Sequence, residues 1–169
     1  AERPTSAHRF VMRHFNLVFS TVWDDLFDRA AEEIGREFRY VGPGKLIPEA
    51  TSDAPVLVRM RGGFGTSVVV TRGDEDTSSW GDTERRRVRE ILRKHVVLFV
   101  GYRPDEEEFE LLFERLTEAY GATLPRCHLA VAQGNIDDYQ WQRWVWRGLL
   151  LFTADPEECT DALEVALES

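Results

Sequence analysis

The sequence predicts an α/β protein with a mostly parallel sheet flanked by helices in three layers. Two observations lead to this prediction. Short apolar runs alternate with amphipathic segments along the chain, and the run at 96–100 ends at Gly101 and Tyr102 before an acidic turn. A buried parallel strand passes into a helix in this way. Because ligands bind at the carboxyl ends of strands in such sheets, Gly101 and Tyr102 are expected on the functional edge.

The remaining elements follow from local patterns. Residues 1–14 show no clear period and are predicted to form an N-terminal segment before a single domain at 15–169. Strands are predicted at 16–21, 56–60, 67–71, 96–100, 127–132 and 149–153. Helices are predicted at 23–38, 83–94 and 105–120, over the tryptophan-rich stretch 137–147, and from residue 155 onward. The Gly- and Pro-rich stretch 41–55 is expected to be a loop.

Composition excludes several classes of function. The 169 residues are 43% hydrophobic, which rules out a disordered tail. No apolar run is long enough to span a bilayer, and no leader is evident, so a cytoplasmic protein without membrane contact is expected. A net charge of −9 argues against binding nucleic acid. The arginine-rich stretch 84–89 is interpreted as a solvated helix face, with an anion or partner site as the alternative.

Cysteine and tryptophan positions favour structural roles. Cys127 and Cys159 lack CxxC or Cys/His spacing, so buried free thiols are predicted rather than a disulfide or a metal site. Trp141, Trp144 and Trp146 are expected in the core or at an oligomer interface, with nucleotide stacking as a lesser alternative.

Four segments together resemble a known family. Residues 20–28 (STVWDDLFD) are similar to the TTNYDDLLE motif of bacterial SIR2-like, sirtuin-related domains, and 58–62 (VRMRG) to their KLHG motif. Residues 68–74 resemble the family's strand with Thr and an acidic turn. The stretch 98–102 (LFVGY) with Asp105 resembles its LFVGYS…D signature. Order and spacing agree from about residue 14 to the end of the sequence.

The resemblance implies a Rossmann-like fold and a link to NAD. Members of the family bind or hydrolyse NAD, often in bacterial antiphage defence, and use a motif Asn and a motif His. Here these positions hold Val22 and Arg61. A valine side chain cannot hydrogen-bond, and arginine stays protonated and cannot act as a general base. The sequence therefore predicts a catalytically degenerate member of the family.

The resemblance also implies a phosphate-binding turn. The family's Gly-rich turn would precede residue 20, but 1–15 contain no glycine, so this sequence is expected to lack that part, which either lies upstream of it or has been lost. Gly62 and Gly63 belong to a glycine-rich stretch that is interpreted as a turn between strands, with an anion nest as the alternative. If a nucleotide binds, the positions expected to contact it are Ser20, Thr21, Gly62, Gly63, Gly101 and Tyr102.

Asp24 and Asp25 are the remaining catalytic candidates. As catalysts they would need pKa values raised by burial or mutual repulsion. As residues at a helix N-terminus they need only exposure, because the helix dipole favours acids there. The second interpretation is preferred.

Three functions are therefore considered. The favoured one is a non-catalytic scaffold, sensor or oligomerisation module in a bacterial defence or conflict system. It requires no cofactor and acts through protein partners or self-association. The alternatives are an NAD+ glycohydrolase that uses other residues, such as Asp24 or Asp25 with Arg61, and a module that binds NAD or ADP-ribose.

Overall fold

The computed structural model describes residues 2–60, 82–103, 105–121, 128–132 and 136–168. The chain divides into two compact units, Ala1–Glu84 and Arg85–Ser169. Each unit contains both strands and helices, and every described strand pair is parallel. The predicted fold class, an α/β Rossmann-like fold with a mostly parallel sheet flanked by helices, is confirmed.

The elements have the following bounds. The strands are β1 Leu17–Ser20, β2 Arg39–Val41, β3 Val56–Arg59, β4 Leu98–Tyr102, β5 His128–Ala132 and β6 Leu149–Thr153. The helices are α1 Ser6–His14, α2 Leu26–Glu33, α3 Asp82–Lys94, α4 Glu107–Tyr120, α5 Asp138–Trp146 and α6 Pro156–Glu168.

The first unit packs α1 and α2 with a three-stranded sheet in the order β1-β3-β2. The central strand β3 is buried along its whole length, as expected for a parallel strand with neighbours on both sides. Arg36 joins the two helices, since its Nη1 donates to the carbonyl oxygens of Met12 and Arg13, each at 2.8 Å. These carbonyls lie in the last turn of α1, where no intrahelical donor remains. The core contains Met12, Val18, Ala30, Ala31, Phe38 and Leu57.

The second unit contains a three-stranded sheet in the order β4-β5-β6 and an aromatic core. Phe109 and Phe113 lie one turn apart on α4, and both contact Trp144 of α5, with ring centroids 4.9 and 5.2 Å away. All three side chains are almost fully buried. Burial of three large rings supplies much of the apolar area that stabilises this unit.

Most of the predicted elements are confirmed within two or three residues. The closest agreement is at β6, which spans 149–153 as predicted. The predicted strand at 67–71 lies outside the described residues. Within the described ranges, no helix is both long and apolar enough to cross a bilayer.

Three local features differ from what the sequence indicates. Residues 6–14 form α1, which the sequence does not predict because 1–14 show no clear period and only three buried side chains, Ala7, Phe10 and Met12, mark the inner face of the helix. Helix α2 ends at Glu33 instead of residue 38, because Gly35 adopts a left-handed conformation with φ +67°. The strand β2 is not predicted: it follows the predicted helix at 23–38 and overlaps the predicted loop at 41–55 only at Val41. Its three residues are fixed by pairing with β3 and carry no alternating pattern.

Candidate functional site

The carboxyl end of β1 holds the first group of predicted site residues. Ser20 is buried, and its carbonyl oxygen accepts from the Met60 amide at 2.9 Å, which ties the end of β1 to the end of β3. Its Oγ donates to the Val22 carbonyl at 3.5 Å. Thr21 is half-buried, and Val22 is 43% exposed. The loop after β1 therefore presents an aliphatic side chain to solvent at Val22.

Asp24 and Asp25 lie at the start of α2. Asp24 Oδ1 accepts from the Leu26 amide at 3.0 Å, and Asp25 is the N-cap residue. The Asp25 carboxylate lies 3.8 Å from Arg29, one turn later. Both acids are exposed. Their contacts are those of carboxylates that stabilise a helix N-terminus, where unpaired amides and the helix dipole favour negative charge.

A charged cluster around the buried Arg59 lies beside the start of α2 and was not among the sequence-predicted site residues. Arg59, the last residue of β3, is 9% exposed and forms an ion pair with Asp28 of α2. Its other terminal nitrogen donates to the Asp24 carbonyl at 3.1 Å. Arg59 thus contacts two points in the first turns of α2 and holds that helix start against the end of the central strand.

Tyr40 completes this cluster from β2. The Arg59 guanidinium carbon lies 6.0 Å from the Tyr40 ring centroid, and the Tyr40 hydroxyl interacts with the Asp28 carboxylate. Tyr40 is 52% exposed, and its partial burial, followed by the nearby Asp28 carboxylate, raises the pKa of Tyr40 to about 12. The hydroxyl is therefore protonated at neutral pH. One sequence signal points to the cluster: Arg59 is a charged residue that directly follows the apolar run Val56-Leu57-Val58.

Gly101 and Tyr102 lie at the end of β4, as predicted. Gly101 has φ +79°, and the register between β4 and β5 shifts between Val100 and Tyr102. This is a β-bulge, for which glycine is favoured because the left-handed conformation is strained for other residues. The glycine at this position is thus explained by backbone conformation.

The bulge determines where Tyr102 lies. In a regular strand, Phe99 and Tyr102 would lie on opposite faces, because they are three residues apart. The extra residue at Gly101 brings both rings to Phe109, at centroid distances of 5.4 and 5.0 Å. Tyr102 is therefore a half-buried member of the aromatic core as well as a residue of the strand's carboxyl end.

The remaining candidates divide between the described and undescribed parts of the chain. Arg61, Gly62 and Gly63 lie outside the described residues, as does Cys127. Cys159 is a free, half-buried thiol whose pKa is raised by burial. Within the described ranges, no group of three or more His, Cys, Asp or Glu side chains is arranged to hold a metal ion.

The three tryptophans do not form one cluster. Trp144 is buried at 1% exposure in the aromatic core, as predicted for a core residue. Trp141 is 39% exposed and Trp146 is 81% exposed. Only Trp144 therefore has the environment of a core side chain.

Two groups of candidates thus exist, one in each unit. The ends of β1 and β3 bring together Ser20, Thr21, Val22, Asp24 and Asp25 with the unpredicted Arg59 cluster. The end of β4 brings Gly101 and Tyr102 next to α4.

A family model described as "SIR2-like domain" matches residues 16–149, well over half of the chain. The chain belongs to the SIR2-like family. A comparison with curated proteins gives no match.

The family match covers both groups of candidate residues. The matched range begins at the residue before β1 and includes every predicted site residue, among them the end of β1 and the end of β4. The SIR2-like assignment predicted from the four segments is confirmed at the level of the family.

Proposed function

We propose that this SIR2-like domain is catalytically degenerate and serves as a scaffold, sensor or oligomerisation module in a bacterial cytoplasmic defence or conflict system. The observation that supports the proposal most directly is Val22, an exposed aliphatic side chain at the carboxyl end of β1. Cleavage of the bond to nicotinamide needs a polar group that holds the ribose and the attacking water. Valine provides neither a donor nor an acceptor from its side chain.

The nearby ionisable residues support the same proposal. Asp24 and Asp25 interact with the start of α2 and with Arg29, and both are exposed. A general base near neutral pH requires a carboxylate whose environment disfavours its charge, and an exposed helix N-terminus has the opposite effect. The Arg59 guanidinium is already paired with the Asp28 carboxylate.

An NAD-cleavage assay with a designed gain of function tests the proposal. The unmodified protein is expected to release no nicotinamide above the buffer control. The double variant Val22→Asn and Arg61→His restores the two residue types that the family uses. If these two positions account for the loss of catalysis, the double variant should release nicotinamide. The single variant Val22→Asn is the matched control.

A second measurement separates binding from cleavage. NAD and ADP-ribose should leave the melting temperature of the unmodified protein unchanged, because a ligand raises it only if it binds the folded state selectively. Nicotinamide release by the unmodified protein, abolished by Asp24→Asn, would overturn the proposal in favour of an active glycohydrolase. Thermal stabilisation without cleavage would favour a nucleotide-binding module instead.

A further inference from the structure

The outer edge of β6 has the properties of a self-pairing strand. Among the described residues, β6 pairs with β5 alone and is the edge strand of its sheet. The sequence Leu149-Leu150-Leu151-Phe152-Thr153 contains no charged residue and no proline. Natural proteins usually protect an edge strand with such residues to prevent pairing with another chain. Their absence here leaves the edge open to a partner strand.

The side chains of β6 differ sharply between its two faces. Leu149 and Leu151 are buried, at 0% and 1% exposure. Leu150 and Phe152 are 46% and 53% exposed and lie on the opposite face, since side chains alternate along a strand. Two large apolar side chains therefore lie next to each other on the exposed face of an edge strand.

The two ends of β6 carry opposite charge. Before the strand, Arg143 and Arg147 both bind the single carboxylate of Glu110, with Arg147 at 3.2 Å, so this group keeps one net positive charge. After the strand, Asp155 begins an acidic stretch, and its Oδ1 accepts from the Glu157 amide at 2.9 Å. Because Asp155 is exposed, the strand has a positive start and a negative end.

We propose that a second copy of this chain pairs with β6 in antiparallel orientation about a two-fold axis at Leu151. In this register Leu150 of each copy lies opposite Phe152 of the other, an apolar cross-strand pair of the kind that stabilises sheets. The positive start of each strand lies beside the negative end of the other. The contact is self-complementary, as a two-fold interface requires, and joins two three-stranded sheets into one.

This inference rests on the proposed function, since it specifies the partner of an oligomerisation module as a second copy of the chain. The paired strands are only five residues long, so the buried area is small. Interfaces at the low end of the size range are typically transient. The dimer is therefore expected to dissociate with a constant on the order of micromolar.

Sedimentation of the full chain under reducing conditions tests the pairing. With rising concentration the unmodified protein should approach twice the chain mass of 19.5 kDa. The double variant Leu150→Lys and Phe152→Lys brings lysines opposite each other in both cross-strand pairs and should weaken the dimer by at least about tenfold. The double variant Leu150→Glu and Phe152→Glu should do the same. An equimolar mixture of the two variants should restore a dimer, because every cross-strand pair is then Lys with Glu.

Val165→Lys serves as the matched control, because Val165 is an apolar side chain on α6 that is 70% exposed. This variant should dimerise as the unmodified protein does. A monomer at all concentrations, a dimer unaffected by the paired lysines, or a mixture that fails to associate would each overturn the β6 contact. These results are independent of nicotinamide release, so failure of the dimer and failure of the non-catalytic proposal are distinguishable.

Discussion

At the scale of single residues, Arg59 determines how the start of α2 is placed. Its guanidinium reaches both the Asp28 carboxylate and the Asp24 carbonyl, while its stem lies at the end of the buried strand β3. A planar group with several fixed donors suits such a two-point contact better than a lysine ammonium. The loop that carries Val22 lies between β1 and this fixed helix start.

Replacing Arg59 should therefore destabilise the protein. Arg59→Met leaves the partly buried Asp28 without its partner, and we expect a loss of about 2–3 kcal/mol in the free energy of unfolding. Arg59→Lys keeps the positive charge but loses the planar set of donors, so its loss in the free energy of unfolding should be smaller than that of Arg59→Met. Urea denaturation measures both losses.

The matched control is Arg103→Ala. Arg103 pairs with Asp105 at 3.0 Å, but both side chains are about half exposed. Exposed pairs contribute at most about 1 kcal/mol, so this variant should change stability little. Equal losses at Arg59 and Arg103 would contradict a special role for the cluster around Arg59.

Tyr40 should make the free energy of unfolding depend on pH at high pH. Its pKa is raised from 10.0 to about 12, so the folded state holds the phenolic proton more tightly than the unfolded state does. The stabilisation is fully present below pH 10.0 and is lost as the pH rises toward about 12. Tyr40→Phe should flatten the dependence of unfolding free energy on pH across this interval, as measured by denaturation at several pH values. An unchanged slope in the variant would show that Tyr40 is not the titrating group.

At the scale of elements, the sequence predicts strands and helices best where packing follows a local pattern. β6 and α4 are recovered nearly to the residue, because apolar periodicity and turn signals coincide with their ends. β2 is not recovered, since three residues with two exposed side chains become a strand only by pairing with β3. The bulge at Gly101 likewise depends on strand pairing and not on a local pattern. The glycine predicts the end of β4, but it does not predict the shift of register that turns Tyr102 toward Phe109.

The helix α5 offers a test of the aromatic core with a control two residues away. Trp144 packs against both Phe109 and Phe113 and is 1% exposed, whereas Trp146 is 81% exposed. Trp144→Ala should lower the free energy of unfolding by about 3–5 kcal/mol. Trp146→Ala should change it by no more than about 0.5 kcal/mol. Thermal or urea unfolding of the two variants makes the comparison, and a large loss for Trp146→Ala would indicate that its side chain is packed in solution.

At the scale of the whole molecule, the family could be predicted from the sequence but the partners of Arg59 could not. Four motifs that are each weak suffice for the SIR2-like assignment, because they occur in the family's order along the matched part of the chain. The partners of Arg59 lie 31 and 35 positions away along the chain. Residues so far apart along the chain are not neighbours within one helix or one strand, so only the fold brings these groups together. The predicted roles of Arg61, Gly62 and Gly63 remain predictions.

The net charge of the molecule predicts how strongly its copies associate at different pH. At pH 7 each copy carries −9, so two copies repel each other, whereas the charge falls to zero near the isoelectric point of about 5.0. Association through the uncharged strand β6 should therefore strengthen as the pH is lowered from 7 toward 5. Light scattering at fixed protein concentration should show a rising apparent mass over this range. The Leu150→Lys and Phe152→Lys variant should show a smaller rise, because lower pH removes the global repulsion but leaves the paired lysines charged. An equal rise in both proteins would indicate general precipitation near the isoelectric point and not strand pairing.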